Sequence, residues 1–272
     1  DISYNNGIPV FAFFINNIKI KLNTGAVGHG VLITDENKIN IAKYCKRYNA
    51  KIIESNSLNI NGEQFLEKCC LLKDHQVENL NFSLLKICSS KDHNVTFSGA
   101  DSRNPNHDDG FIGWNAMQQL NFIVDFKTDQ IWLFDQRSYV QFCRLRDKYF
   151  TNGQFITLPM RKQNDGLVFN IALDDIITLS AIVDTAASHT VINKNLISKF
   201  AAVTMSQSSE GLYYMSPQVT ARYSYFPKIQ FDNETIYFVN MLNDINLPLG
   251  MNHLSKNIII FDNFTKKLSI IS

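Results

Sequence analysis

The chain has 272 residues, of which 45% are hydrophobic, and its 26 basic and 25 acidic residues leave a net charge of +1. No basic cluster stands out from this balance, so we expect no nucleic-acid partner. The longest apolar runs, 10–15 and 257–261, are far shorter than a membrane-spanning helix, and we therefore expect a soluble protein with no membrane partner.

Strand patterns dominate the chain from one end to the other. These segments are rich in Ile, Val, Phe and Tyr, alternate in part, and are separated by Asn, Asp and Gly turns. Helical patterns are short, and the predicted ones cover 36–50, 137–150 and, more weakly, 192–200. We predict a mainly β fold. Its clearest strand regions are 7–22, 167–183, 228–242 and 266–271.

The cysteines lie in the first 143 residues and are odd in number, so at least one thiol is free or intermolecular. Two disulfides would suit an exported protein, and reduced buried thiols fit the same pattern. The chain begins at Asp1 rather than Met, which fits either a processed mature form or a trimmed chain. We therefore expect an exported protein whose signal peptide has been removed. The cysteines are Cys45, Cys69, Cys70, Cys88 and Cys143.

An internal repeat divides the chain into two halves. Residues 111–133 align with 248–270 without a gap, and each copy reads as a hydrophobic–Gly step, a short helix, a strand, an Asp-containing turn and another strand. We predict two lobes, 1–153 and 154–272, with an insert at about 45–110 in the first. The identical pairs are Gly113/Gly250, Asn115/Asn252, Ile123/Ile260, Asp125/Asp262 and Thr128/Thr265.

Each half also carries a related motif directly after an apolar strand: "IKLNTGAV" (20–27) aligns with "AIVDTAAS" (181–188). An Asp that follows a β-branched strand is by itself a common turn residue. The repeat adds a second interpretation, in which this Asp is a functional carboxylate. The aligned positions pair Asn23 with Asp184, Thr24 with Thr185, and Gly25 with Ala186.

These motifs resemble those of the aspartic peptidases of the pepsin and retroviral-protease superfamily. In that superfamily an Asp-Thr/Ser-Gly motif follows an apolar strand, and a hydrophobic-hydrophobic-Gly element comes later in the same lobe. Here "IGWNAM" (112–117) and "LGMNHL" (249–254) stand for the later element. The resemblance covers nearly the whole chain. It implies a mainly β, bilobal fold with two closed β-barrel-like lobes, short helices, and an active-site cleft between the lobes.

The resemblance also implies a reaction carried out by two aspartates, one from each lobe, which hold a water molecule and share one proton. The ionised partner takes a proton from water while the protonated one polarises the substrate carbonyl. Thr24 and Thr185 would interlock the two loops and bring backbone N–H groups to the carboxylates. Gly25 would share this role in the first lobe.

Two positions depart from the superfamily pattern. Asn23 stands where the first lobe should supply its aspartate, and Ala186 adds a methyl group where a glycine is expected. An amide donates a hydrogen bond to Asp184 or to water, but it cannot share or exchange the proton. Asn23 is either natural or introduced, and Ala186 favours a natural origin. We therefore expect impaired peptidase activity.

The remaining candidates are weaker. The segment 206–219 has the composition of a flap hairpin, in which Tyr213 and Tyr214 are candidates for ligand binding, although a Tyr pair in a β protein more often serves packing. The oxygen-rich loop 101–110 fits a solvated turn better than a calcium site. The histidines show no zinc-ligand spacing. We expect no metal and no cofactor.

Three functions stay open at this point. The chain is an impaired aspartic-peptidase-like protein that binds an extended peptide or protein segment in the interlobe cleft by strand addition. Alternatively, it is an active acid endopeptidase that uses Asp184, or an exported interaction protein that does not use the cleft. In each of the first two cases the partner is a peptide or protein, and we expect a monomer.

Overall fold

The computed structural model describes residues 1–5, 8–13, 18–25, 30–33, 39–58, 64–89, 110–163, 166–173, 177–193, 195–196, 205–207, 213–215, 220–223, 228–230, 236–239 and 247–272. Its elements make the chain mainly β and bilobal, as the sequence predicts. None of the helices in these ranges has the length and apolar character that a membrane span requires.

The first lobe is built on one large open sheet, whose strands place alternate side chains in the core. Ile18, Ile20 and Leu22 are buried on one face of the same strand, as the two-residue period of a strand requires. The strands are β1 (Ser3–Asn5), β2 (Ile8–Phe13), β3 (Ile18–Leu22), β4 (Val31–Ile33), β5 (Lys51–Leu58), β6 (Gln64–Val77), β7 (Leu80–Ser89) and β8 (Gly110–Ile112). Their order in the sheet is β1-β2-β3-β8-β4-β7-β6-β5.

The predicted insert at 45–110 extends this sheet. Its described part contributes β5, β6 and β7, and residues 90–109 lie outside the described residues. Helix α1 (Ile41–Arg47) precedes it and lies within the predicted 36–50. The helix begins after Asn40, whose Oδ1 accepts the Lys43 N–H at 2.9 Å and so caps the first turn.

Two disulfides fix this extension on both faces of the sheet. Cys45–Cys70 joins α1 to β6, and Cys69–Cys88 joins β6 to β7. Because neighbouring residues of a strand point to opposite faces, the adjacent Cys69 and Cys70 serve different layers. Among the described residues, Cys143 is a free thiol.

The chain then crosses between the lobes. Its elements are α2 (Trp114–Met117), β9 (Asn121–Asp125), β10 (Gln130–Phe134), a 3₁₀ turn (Gln136–Ser138), α3 (Tyr139–Asn152) and β11 (Phe155–Pro159). The α3 bounds agree with the predicted helix at 137–150.

The second lobe divides its strands between two sheets. The strands are β12 (Arg161–Gln163), β13 (Gly166–Leu173), β14 (Ile177–Val183), β15 (Val191–Asn193), β16 (Met205–Gln207), β17 (Tyr213–Met215), β18 (Thr220–Tyr223), β19 (Lys228–Gln230), β20 (Ile236–Val239) and β21 (Leu247–Leu249). One sheet has the order β19-β18-β13-β14-β21, with β12 on β13, and the other has the order β15-β20-β17-β16. The chain ends with α4 (Met251–Leu254), β22 (Ile258–Asp262) and β23 (Lys267–Ile271).

Two sequence predictions need correction here. The helix expected at 192–200 is wrong at its start, because Val191 and Ile192 are β-branched and pair in parallel with β20. Within the described residues no sheet closes as a barrel either. In the first lobe β1 and β5 stay at opposite ends of the sheet, and in the second lobe the strands split into two sheets.

A fourth sheet joins the lobes, in the order β10-β9-β22-β23-β11. Its central pair, β9 and β22, comes from the two copies of the sequence repeat and runs antiparallel. Ile123 lies opposite its own repeat partner Ile260, so an approximate two-fold axis passes through this pair. Helix α3 packs its Phe142 against the face of this sheet that carries Ile123 and Ile260.

Candidate active-site loops

The two predicted motifs begin where two corresponding strands end. β3 leads directly into Asn23, and β14 leads directly into Asp184. Each strand pairs in parallel with the strand that carries the hydrophobic–Gly element of its lobe. The Asn23 N–H donates to the Ile112 carbonyl at 3.0 Å, and the Asp184 N–H donates to the Leu249 carbonyl at 2.9 Å. The same backbone geometry therefore presents position 23 and position 184.

Two buried threonines interlock the loops across the lobe interface. The Thr24 N–H donates to Thr185 Oγ1 at 3.2 Å, and the Thr185 N–H donates to Thr24 Oγ1 at 3.2 Å. Each hydroxyl also donates to the opposite lobe: Thr24 Oγ1 to the Val183 carbonyl at 2.6 Å, and Thr185 Oγ1 to the Leu22 carbonyl at 2.5 Å. These reciprocal bonds hold the loops together about an approximate two-fold axis.

The Asp184 carboxyl group lies against the opposite loop. A Cβ atom added at Gly25 would overlap its Cγ and both of its oxygens, so the bare Cα of Gly25 makes room for this carboxyl group. Oδ1 accepts the Ala186 N–H at 3.0 Å. Burial raises the pKa of Asp184 to about 6, and hydrogen bonds from the backbone of Ala186 and Ala187 lower it in part. The carboxyl group therefore changes charge near pH 6.

Asn23 and Ala186 occupy the corresponding positions on the other side of the axis. Asn23 is buried, with 4% of its surface exposed, and Ala186 is buried with 7% exposed. The loops thus bring together a carboxyl group, an amide, a glycine and an alanine. Their catalytic or binding roles remain predictions.

The second loop has supports that sequence reasoning did not single out. Asn252 Oδ1 accepts the Thr190 N–H at 2.8 Å, and the Thr190 hydroxyl accepts the Gly250 N–H at 3.1 Å. A Cβ at Gly250 would overlap the backbone of His189 and Thr190, which explains the glycine of the hydrophobic–Gly element. The repeated Gly-x-Asn pattern was the available signal. The matching Asn115 is exposed, and its Oδ1 accepts from Gln118 at 2.8 Å.

Tyr213 and Tyr214 lie in β17, the strand predicted for the flap. Their backbone pairs with Gln207 and Ser206 of β16 on one side, and with Phe238 and Tyr237 of β20 on the other. The hairpin tip, 208–212, lies outside the described residues, as does most of the loop 101–110. The role of these tyrosines in ligand binding stays a prediction.

One cluster in the described ranges combines metal-ligand atom types. Glu67, Cys69 and Cys88 place one ligand atom each within 4.8 Å of one another. However, the two cysteines form a disulfide, and metal binding by cysteine requires thiolates. In this oxidised state the cluster does not hold a metal.

Comparisons with known proteins show the fold. No protein-family model and no curated protein sequence matches the chain. Among solved structures, basic 7S globulin from soybean matches with a TM-score of 0.59 and 10% identity, covering 98% of this chain and 91% of that one. Conglutin gamma, a basic 7S globulin from lupine seeds, matches with a TM-score of 0.55 and 11% identity over 94% and 88%. The aspartic proteinase from Irpex lacteus gives 0.58 and 10% over 98% and 94%.

The chain therefore has the mainly β, bilobal, aspartic-protease-like fold. The structural neighbours include a proteinase and two seed globulins. Sequence identities near 10% show a shared fold and nothing about a shared function. What this chain does has to be argued from its own loops.

Proposed function

We propose that this chain is a catalytically impaired aspartic-peptidase-like protein that binds an extended peptide or protein segment between its lobes. The observation that carries the proposal is the pair of interlocked loops. They present the Asp184 carboxyl group against Gly25 of the opposite lobe, with Asn23 at the corresponding position.

The chemistry of a single carboxyl group explains the impairment. Peptide hydrolysis by this type of site needs one ionised group to take a proton from water and one protonated group to polarise the carbonyl. Asp184, with a pKa of about 6, is either one or the other at a given moment. Asn23 donates hydrogen bonds but neither accepts nor releases a proton at these pH values. Loss of such a proton-transfer group lowers rates by roughly 10²–10⁴-fold.

Binding does not need the second carboxylate. An extended peptide gains its affinity from backbone hydrogen bonds to unpaired strand edges and its specificity from alternate side chains. Among the described strands, several lie at the ends of their sheets, and these include β5 in the first lobe and β16 in the second. Strand addition would use edges of this kind.

An active acid endopeptidase is the second candidate, and the observation that favours it is the local geometry around Asp184. The strand, the interlocking threonine and the backbone hydrogen bond from Ala186 are all in place for one member of the dyad. This candidate requires that Asp184 alone supports hydrolysis.

The test uses the chain as it stands, with a mixed peptide library from pH 3 to 7. We expect no pepstatin-sensitive cleavage, and retention of a subset of peptides that pepstatin displaces. Retention should be lost in Asp184→Ala, because that carboxyl group lies at the centre of the proposed binding site. The control Asp74→Asn removes an exposed carboxylate within β6 and should retain peptides normally.

Each other outcome favours a different function. Pepstatin-sensitive cleavage by the unmodified chain would support the endopeptidase. Absence of both cleavage and retention would support an interaction protein that does not use the cleft.

We also infer that the chain is exported. Its two disulfides in the first lobe, Cys45–Cys70 and Cys69–Cys88, are of the kind that persists in oxidising compartments. Thiol titration of protein isolated from its native source tests this. One reactive thiol per chain is the expected result, and five would contradict it.

A further inference from the structure

The geometry at Gly25 sets a rule for this site. The Asp184 carboxyl group packs directly on the Cα of Gly25, and the three atoms nearest to an added Cβ are all from that carboxyl group. Any side chain that takes the position of Asp184 therefore requires a glycine at the facing position of the other loop.

The approximate two-fold axis transfers this rule to the other half of the site. The threonine bonds are reciprocal, and the backbone N–H groups of positions 23 and 184 make matching bonds to Ile112 and Leu249. The counterpart of Asp184 is Asn23, and the counterpart of Gly25 is Ala186. The position that should be bare therefore carries a methyl group.

The methyl group has little freedom to turn away. Ala186 is 7% exposed, and its backbone N–H is held by Asp184 Oδ1 at 3.0 Å. A buried Cβ on a fixed backbone keeps its direction, because alanine has no rotatable side-chain torsion that moves it. We propose that Ala186 is a positioning residue that keeps the side chain of residue 23 from taking the orientation of Asp184.

This proposal rests on the proposed function and goes one step further. The dyad is disabled twice, by the chemistry of Asn23 and by the shape of Ala186. A carboxylate introduced at position 23 alone stays out of line with Asp184, and the two do not share a proton. Removing the methyl group opens the position.

Four proteins test the proposal: the unmodified chain, Asn23→Asp, Ala186→Gly, and the double variant Asn23→Asp/Ala186→Gly. We expect pepstatin-sensitive cleavage from the double variant at a rate at least ~100-fold above that of Asn23→Asp, the scale of a restored proton-transfer group. The first three should stay at background.

Two control variants separate shape at one position from general loosening of the loop. Asn23→Asp/Ala187→Gly adds a glycine one residue further along and should stay at background. Adding Gly25→Ala to the double variant places a methyl group on the Asp184 carboxyl group and should abolish the gained cleavage.

A second measurement covers the case in which the double variant does not fold. Carboxyl ¹³C NMR titration of Asn23→Asp should show two carboxyl groups that titrate independently. Strongly separated, coupled titration steps in this single variant would overturn the proposal, since coupling means that the groups already face each other.

The remaining outcomes are distinct. Equal cleavage by Asn23→Asp and a folded double variant would overturn the role of Ala186 and leave the proposed function intact. A double variant that folds but cleaves peptides only at the background rate would also overturn the role of Ala186. Cleavage by the unmodified chain would contradict the proposed function itself.

Discussion

Replacing Asp184 with Asn should stabilise the protein above pH 6. The Asp184 carboxyl group is partly buried, and burial raises its pKa to about 6 from an ordinary value of 3.8. Between these pH values the native state binds more protons than the unfolded state. The contribution of Asp184 to the free energy of unfolding therefore falls as the pH rises from about 4 to about 7.

The size of the effect follows from the pKa difference. The pKa rises from 3.8 to about 6, and each pH unit corresponds to about 1.4 kcal/mol. The ionised carboxylate thus costs at most ~3 kcal/mol, and less to the extent that the side chain still contacts solvent. Asp184→Asn removes the charge and keeps the shape, so it should recover ~2–3 kcal/mol at pH 8 relative to pH 4.

Equilibrium urea unfolding at pH 4 and pH 8 measures this effect. The informative quantity is the difference in unfolding free energy between Asp184→Asn and the unmodified chain, because other titrating groups cancel in it. The matched control is Asp74→Asn, an exposed residue with a φ of 46°, a conformation that Asn also tolerates.

The control difference should be the same at both pH values. If the Asp184→Asn difference were also unchanged between pH 4 and pH 8, the carboxyl group would not be the buried, late-titrating group described above. If Asp184→Asn became less stable relative to the unmodified chain on going from pH 4 to pH 8, the sign of the argument would be wrong.

Three further sets of substitutions test what holds the site and its lobes together, each by urea unfolding at pH 6. Thr24→Val and Thr185→Val should each cost ~2–4 kcal/mol, because each leaves a buried carbonyl and a buried N–H of the opposite loop unpaired, and the double variant should cost less than the sum. Removing the Cys69–Cys88 disulfide as a pair of alanines should cost ~3 kcal/mol, the scale for a loop closed over 19 residues. Asp262→Ala should cost ~2–4 kcal/mol, since its carboxylate accepts a turn N–H, a tyrosine hydroxyl and an α3 guanidinium.

Each of these test variants has a control in which a similar change is made at a different position. Thr151→Val alters an exposed hydroxyl on α3, Cys143→Ser alters the free thiol, and Asp147→Ala removes a carboxylate whose side chain is 63% exposed. All three should stay within about 1 kcal/mol of the unmodified chain. Losses as large as those of the test variants would show that general sensitivity, and not the named contacts, explains the results.

The local sequence pattern predicted those elements whose bounds depend on residues nearby in the sequence. Helix α3 lies almost where its pattern indicates, and the strands of 7–22 appear as β2 and β3. The prediction of a helix at 192–200 was wrong at its start, because parallel pairing with β20, a partner about 45 residues away, outweighs local helical spacing there. Closed barrels were also wrong, since the edges of a sheet depend on long-range pairing that no single segment encodes.

The same division applies to the site. The repeat in the sequence identified Asn23, Asp184, the threonines and Ala186, because motif position and residue type are local properties. Which of them touch is a matter of tertiary structure. The overlap of a Gly25 side chain with Asp184 follows from how the two loops approach each other, and the bond from Thr190 to Asn252 follows from how the second loop lies on α4. Sequence by itself determined the chemistry that is present and the carboxylate that is missing. The fold decided the burial of Asp184, and therefore its pKa, because burial exists only once the two lobes meet.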